Sequence, residues 1–239
     1  EVAVKLSFQF PLTYQDEVFS LRLPTVVAPR YFNNLELDEN DPISHFGEGK
    51  GVFGSVKAMI HIDPYDYIGT DEGLFYRLNH SKKFNRAKLP SIKISDIKVH
   101  DNFLYLATSA GTIQFDPFFE TYKIINAFPT SAIYIDTSVQ KIVLAGERGL
   151  LLLSLDDFSE KDVHEIVLKD ILSIEKSPNP INADQQYWIG TMNGAHRLDV
   201  IDDFGFMTYF GTDAGFFNGI AKPMLLKGDL VFGSGEGFL

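Results

Sequence analysis

One short pattern returns five times along this chain and limits the folds open to it. The copies are "YIGTDEGLF" with Gly73, "LYLATSAGTI" with Gly111, "IVLAGERGLL" with Gly149, "YWIGTMNGAH" with Gly194 and "LVFGSGEGFL" with Gly237. The glycines recur roughly every 40 residues, the period of repeat architectures built from one supersecondary unit per repeat. Four places before each glycine stands a small residue: Gly69, Ala107, Ala145, Gly190 or Gly233. Next to it is Thr70, Thr108, Gly146, Thr191 or Ser234, and apolar or aromatic residues come before the pair. This reads as a strand, a tight turn and a return strand. The glycine supplies a positive φ in the turn, and the small column lets neighbouring sheets come close.

Each copy has further strands around it. An apolar strand precedes the motif in "SVKAMIHID" (55–63), "ISDIKVHD" (94–101), "SAIYIDT" (131–137) and "ILSIEKS" (171–177). A more variable strand follows, as in "ETYKIIN" (120–126). Four short strands per unit of this length predict an all-β fold of the β-propeller type. The expected blades span 51–88, 89–127, 128–165 and 166–212, followed by an incomplete fifth, so the ring is open unless another strand closes it. The N-terminal strand Val2 to Phe10 is one candidate for that strand. Each motif glycine should fall between the second and third strands of its blade. A sandwich of unrelated hairpins is the alternative, but it would not require the same small column in every unit. The stretch "DDFSEKDVHEIVLKDILS" (156–173) could place Phe158, Val163, Ile166, Val167 and Leu172 on one helical face. An outer strand is the preferred reading there.

Composition narrows the functional classes. The 239 residues carry a formal charge of −11, which repels a phosphate backbone and argues against nucleic-acid partners. The same charge disfavours anionic membrane surfaces. There is no cysteine, so disulfides, Cys-ligated zinc and thiol nucleophiles are excluded. No apolar run approaches the 18 or so residues a membrane span requires. Any membrane link would run through a part of a parent protein outside this chain. Starting at Glu1 and ending soon after "GEGF", the sequence reads as a piece of a longer or processed protein.

Several local motifs resemble chemistry without carrying it. "GKGVFG" (49–54) fits G-x-G-x-x-G, but a polar linker precedes it and a strand follows, so a lead-in loop is the better reading. "LDENDP" (37–42) clusters acids but has Ile43 where a calcium loop needs glycine. His45, His61, His80, His100, His164 and His196 show no H-x-H or H-x-x-x-H spacing that would support zinc. In "GSGEG" (233–237) the serine falls in the small column, so no nucleophile elbow is present. Trp188, the only tryptophan, stands inside the motif, where packing between blades accounts for it better than ligand stacking. No catalytic residue, metal ligand or cofactor is assigned, and the ligand-binding residues cannot be read from the sequence.

On these residues, "YWIGTMNGA" and "YIGTDEGLF" above all, the span 51–239 resembles the two-component regulator propeller repeat. The copies "IVLAGERGL" and "LYLATSAGT" are degenerate, and 208–238 is similar to the closing repeat of such propellers. The resemblance implies an extracytoplasmic sensor or binding module, periplasmic or extracellular. Its partners would be a small-molecule or glycan ligand or a protein, with homodimers known in the family and catalysis uncommon.

Residues 1–32 look different. "DEVFSLRLPTVVAPRYF" (16–32) resembles the end of a VIT domain, through its L-P-T-x-x-A-P-R-Y segment. No D-x-S-x-S metal motif accompanies it. "EVAVKLSFQF" alternates as a half-buried strand, Pro24 and Pro29 favour extended chain, and 33–50 reads as a linker. This segment implies the alternative function, a structural or adhesive scaffold in a secreted or surface protein. A propeller lyase or hydrolase is the third reading, and it would need charged side chains clustered at the axis.

Overall fold

The computed structural model describes residues 13–15, 18–20, 46–79, 81–165, 168–202, 204–215, 220–234 and 237–238. The chain divides into two units, Glu1–His45 and Phe46–Leu239. In the first, β1 (Thr13–Gln15) pairs antiparallel with β2 (Val18–Ser20). The VIT-like run from 21 to 32, the alternating strand at 1–10 and the acidic stretch at 37–42 lie outside the described residues.

The second unit is a run of antiparallel meanders, each strand paired with the next in sequence. Blade 1 is β3 (Val56–Ile62), β4 (Tyr65–Thr70), β5 (Leu74–Leu78) and β6 (Asn85–Arg86). Blade 2 is β7 (Ile94–His100), β8 (Phe103–Thr108), β9 (Gly111–Asp116) and β10 (Thr121–Asn126). Blade 3 is β11 (Ala132–Asp136), β12 (Lys141–Gly146), β13 (Gly149–Ser154) and β14 (Glu160–Glu165). Blade 4 is β15 (Ile171–Lys176), β16 (Gln185–Thr191), β17 (Gly194–Ile201) and β18 (Phe204–Phe210). The fifth sheet has three strands among the described residues: β19 (Lys222–Leu226), β20 (Asp229–Ser234) and β21 (Gly237–Phe238). The first strands touch one another in the order β3, β7, β11, β15, β19, so they form the inner wall of a five-blade arc. The motif glycines stand at the turn from the second strand to the third: Gly73 just before β5, and Gly111, Gly149, Gly194 and Gly237 as the first residues of β9, β13, β17 and β21. The stretch with helical periodicity forms the outer strand β14.

Packing between blades explains the sequence of the middle strands. A strand wedged between two sheets is buried on both faces, so it reads as a continuous apolar run rather than an alternation. In β12 and β13, Ile142, Leu144, Leu151 and Leu153 cluster with Tyr105 and Ala107 of blade 2 and with Ile133 of β11. Val143, Ala145, Leu150 and Leu152 face Ile174, Tyr187 and Ile189 toward blade 4. Leu104, Leu106, Ile113 and Phe115 meet Tyr67 and Leu74 at the first seam. At the last seam Trp188 packs between Phe210 and Phe232, both with ring centroids 5.0 Å away, beside Ala195 and Ala221. The only tryptophan is therefore an inter-blade packing residue. The small column does what the spacing predicts: a Cβ on Gly190 would stand 2.1 Å from the Ala221 carbonyl oxygen, just ahead of β19.

The segment before blade 1 departs from the expected loose lead-in. Phe46 and Val52 pack with Ile68, Phe75 and Phe84 on the outer face of the blade. The Arg77 guanidinium sits 4.3 Å from the Phe46 ring centre. Aromatic burial fixes the strand-side face here and outweighs the conformational freedom of the glycines around it.

Candidate functional site

The motif turn is built by its threonine as well as its glycine. Thr70 accepts a hydrogen bond from the Glu72 N–H and donates to the Gly73 carbonyl, at 3.0 and 3.3 Å. Thr108 does the same with Ala110 and Gly111, and Thr191 with Asn193 and Gly194. A hydroxyl that closes its own turn competes well with water when buried, and all three threonines are buried. The backbone carbonyl of Thr108 also accepts from the Thr130 N–H of the segment leading into blade 3, and that of Thr191 from Ala221 ahead of blade 5. The column thus sets the turn and ties one blade to the next. Smallness is the only part of this that the spacing reveals.

In an antiparallel meander the second turn lies at the end of the sheet where the first strand begins. The motif turns and the starts of the inner strands therefore share one end of the arc, and a cavity of about 450 Å³ opens there. All five blades reach it. Lys57 comes from blade 1, Lys93 and Ser95 from blade 2, Ser131 and Glu147 from blade 3, Asp170, Ile171, Leu172 and Met192 from blade 4, and Lys222 from blade 5. Met192 belongs to a motif turn, and its N–H bonds the Asp170 carbonyl at 3.1 Å, which fixes this part of the rim. A second cavity of about 460 Å³ is lined by residues 139–161 of blade 3 and Val200 of blade 4. It is a groove of one seam. The axial cavity is the place where the whole arc converges, the position at which ring-like folds gather ligand groups.

Deeper in the inner wall, half-buried charges at Asp96 and Glu175 and a buried one at Asp136 stand where blades meet. Asp96 of β7 accepts from the Ile133 N–H of β11 at 3.0 Å, with Lys98 Nζ 3.7 Å away. Burial pushes the Asp96 carboxyl above its ordinary range, against the pull of Lys98, the backbone N–H groups and Lys222. Burial also raises Glu175 of β15, with Lys98 opposing and Asp96 adding to the shift. Asp136 at the end of β11 accepts from Lys176 Nζ at 2.6 Å, the Tyr187 hydroxyl at 2.7 Å and the Ser138 hydroxyl at 2.6 Å. Burial alone would raise it, but these donors outweigh burial and hold it below the usual carboxylate range.

The described histidines stand apart from one another. His61 bonds Asp66 at 2.8 Å, His100 pairs with Asp101 at 3.2 Å, and His196 stacks on Tyr209 with ring centroids 5.0 Å apart. His164 lies in β14, and His45 and His80 lie outside the described residues. Among the described residues no three His, Cys, Asp or Glu side chains group as a metal site. No helix among them is long and apolar enough to cross a membrane. The sequence reading misses the cavity residues because most stand at the start of an inner strand, outside the recurring motif, while Glu147 and Met192 occupy turn positions where the copies differ.

This architecture defines a β-propeller segment, and solved structures agree. The chain is similar to the extracellular domain of BT4673 from B. thetaiotaomicron, described as a hybrid two component system. The TM-score is 0.60 at 17% identity, over 77% of this chain and 26% of that one. A second structure of that domain gives a TM-score of 0.59 at 17% identity, covering 77% of this chain and 27% of that one. BamB from Moraxella catarrhalis matches with a TM-score of 0.53 at 15% identity, over 76% of this chain and 55% of that one. The chain thus spans about a quarter of the length of the extracellular domains it matches. No protein-family model and no curated protein sequence matches it, so the VIT likeness has no support from those comparisons.

Proposed function

We propose that this chain is part of a non-catalytic, extracytoplasmic propeller that binds a ligand at the end of its axis, as a sensor module does. The observation that carries this reading is the axial cavity, to which every blade contributes and whose polar groups are mixed lysine, serine and carboxylate. Among the described residues neither Ser95 nor Ser131 of its lining is paired with a base, the pairing an acyl-transfer nucleophile uses. The fold shared with an extracellular domain of a two component system supports the compartment.

Thermal-shift and calorimetric titration of the chain against a broad panel of glycans, peptides and small metabolites tests the proposal. Saturable binding that is lost when Met192 is replaced by Trp, to fill the cavity without adding charge, is the expected result. Silence across the panel would turn the reading toward the scaffold role.

A further inference from the structure

Three ammonium groups converge on the axial cavity of a chain whose formal charge is −11. Lys57, Lys93 and Lys222 come from blades 1, 2 and 5, so three separate inner strands deliver them to one place. Lys57 Nζ bonds only the nearby Ser55 hydroxyl, at 3.1 Å. Among the described residues, neither Lys93 nor Lys222 forms an ion pair, although carboxylates are abundant in this chain. Lys222 is close enough to the inner wall for its charge to act on buried Asp96. The same cavity carries Glu147 and Asp170. Its lining therefore combines three ammonium groups, from blades 1, 2 and 5, with two carboxylates, from blades 3 and 4.

We infer that the axial cavity selects a small anionic ligand that also carries several hydroxyl groups, in the manner of an acidic sugar. This rests on the binding reading above and specifies it. The lysines would meet the anionic group, since an ammonium is a compact donor of three hydrogen bonds. Glu147 and Asp170 would accept from ligand hydroxyls, and a second anionic group near them would be repelled. Met192 and Ile171 offer apolar surface for the face of a sugar ring, and a cavity of about 450 Å³ falls within the range of small-ligand sites. Attraction to an anion at an open cavity is screened by salt, so affinity should fall as ionic strength rises.

The test uses two matched probes, a galacturonic acid dimer and the neutral galactose dimer. The chain has four methionines, so its methyl-labelled spectrum is simple, and Met192 alone of them lines the cavity. The expected result is a saturable shift of the Met192 methyl signal with the acidic dimer. Affinity should be about tenfold or more above that for the neutral dimer, a difference of about 1.4 kcal/mol. It should weaken by about tenfold in a K57Q/K93Q/K222Q variant that keeps the wild-type melting temperature. Equal binding of both dimers, unchanged in the triple variant, would overturn the anion preference while leaving a binding site in place. No Met192 response to either dimer would overturn the acidic-sugar assignment, and the panel above would then decide the binding reading separately.

Discussion

Two aspartates on inner strands join neighbouring blades, and they do so on opposite terms. At the seam of blades 2 and 3, Asp96 accepts two backbone N–H groups, Ile133 across the seam and its neighbour Ile97, and its lysine stands 3.7 Å away. At the seam of blades 3 and 4, Asp136 is 3% exposed and accepts from a lysine, a tyrosine and a serine. Both carboxylates lose water on folding. Only the second gains enough donors to offset that loss, and its proton affinity falls while that of Asp96 rises. The contrast separates two uses of a buried charge. Asp136 stabilises its seam as an ion, whereas Asp96 mainly satisfies backbone donors and carries its charge at a cost.

The strongest way to break this comparison is to truncate both residues. Asp136→Ala removes the acceptor shared by Lys176 and Tyr187, whose ring is fully buried. Breaking a buried ion pair by deleting one partner should cost about 3 kcal/mol in urea unfolding. Asp96→Ala takes the side-chain acceptor from two backbone N–H groups, of Ile133 and Ile97, and should cost about 1 to 2 kcal/mol. Equal losses would show that both seams depend on charge to the same degree. Tyr187→Phe tests the Asp136 site more gently. It deletes one of three side-chain donors at nearly constant volume, so a loss of about 1 kcal/mol is expected, with a melting temperature between those of wild type and Asp136→Ala.

The motif turns extend the comparison to contacts repeated along the arc. Thr108→Val and Thr191→Val keep the shape and remove the hydroxyl that closes the turn, for a loss of about 1 kcal/mol each. Blade 3 has Gly146 at that place, and its turn lacks the hydroxyl. Gly146→Thr would not restore it, because a Cβ there would stand 2.1 Å from the Pro129 carbonyl oxygen. That variant should be less stable than wild type by chemical unfolding. A gain in stability would show that the missing hydroxyl, and not close approach, governs this turn.

The repeat makes the architecture legible because each blade solves the same packing problem with the same local residues. A glycine at φ +118 in position 194, where a Cβ would meet the Phe210 carbonyl oxygen at 2.3 Å, cannot be exchanged without strain. It therefore marks its turn in every reading. The same holds for the apolar runs of β12 and β13, buried on both faces. The site was not legible, for a physical reason. Lys57, Lys93 and Lys222 are distant in sequence and meet only through the curvature of the arc, which arises from the sum of the blade seams and not from any local pattern. The seam aspartates escaped for the same reason, since their partners belong to the following blade.

The smallest expected effect is also the sharpest, because it depends on sign. A carboxyl whose folded value is raised binds protons more readily in the native state, so acidification stabilises the fold on its account. That gain begins as pH falls through the raised value of Asp96 and is complete below the ordinary carboxylate value of 3.8. Asp136 behaves in the opposite sense. Its contribution is fully present above 3.8 and is lost as pH falls through its lowered value. Asp96→Asn keeps one acceptor oxygen, enough for the Ile133 or the Ile97 N–H, so its cost at neutral pH should be about 1 kcal/mol and below that of Asp96→Ala. Unfolding free energies measured from pH 3 to pH 7 should then diverge in two windows. Asp96→Asn should match wild type less well as pH rises above 4, while Asp136→Asn should approach wild type as pH falls below 4. If both variants alter the profile in the same window, the two seams hold their charges alike and the contrast between them fails.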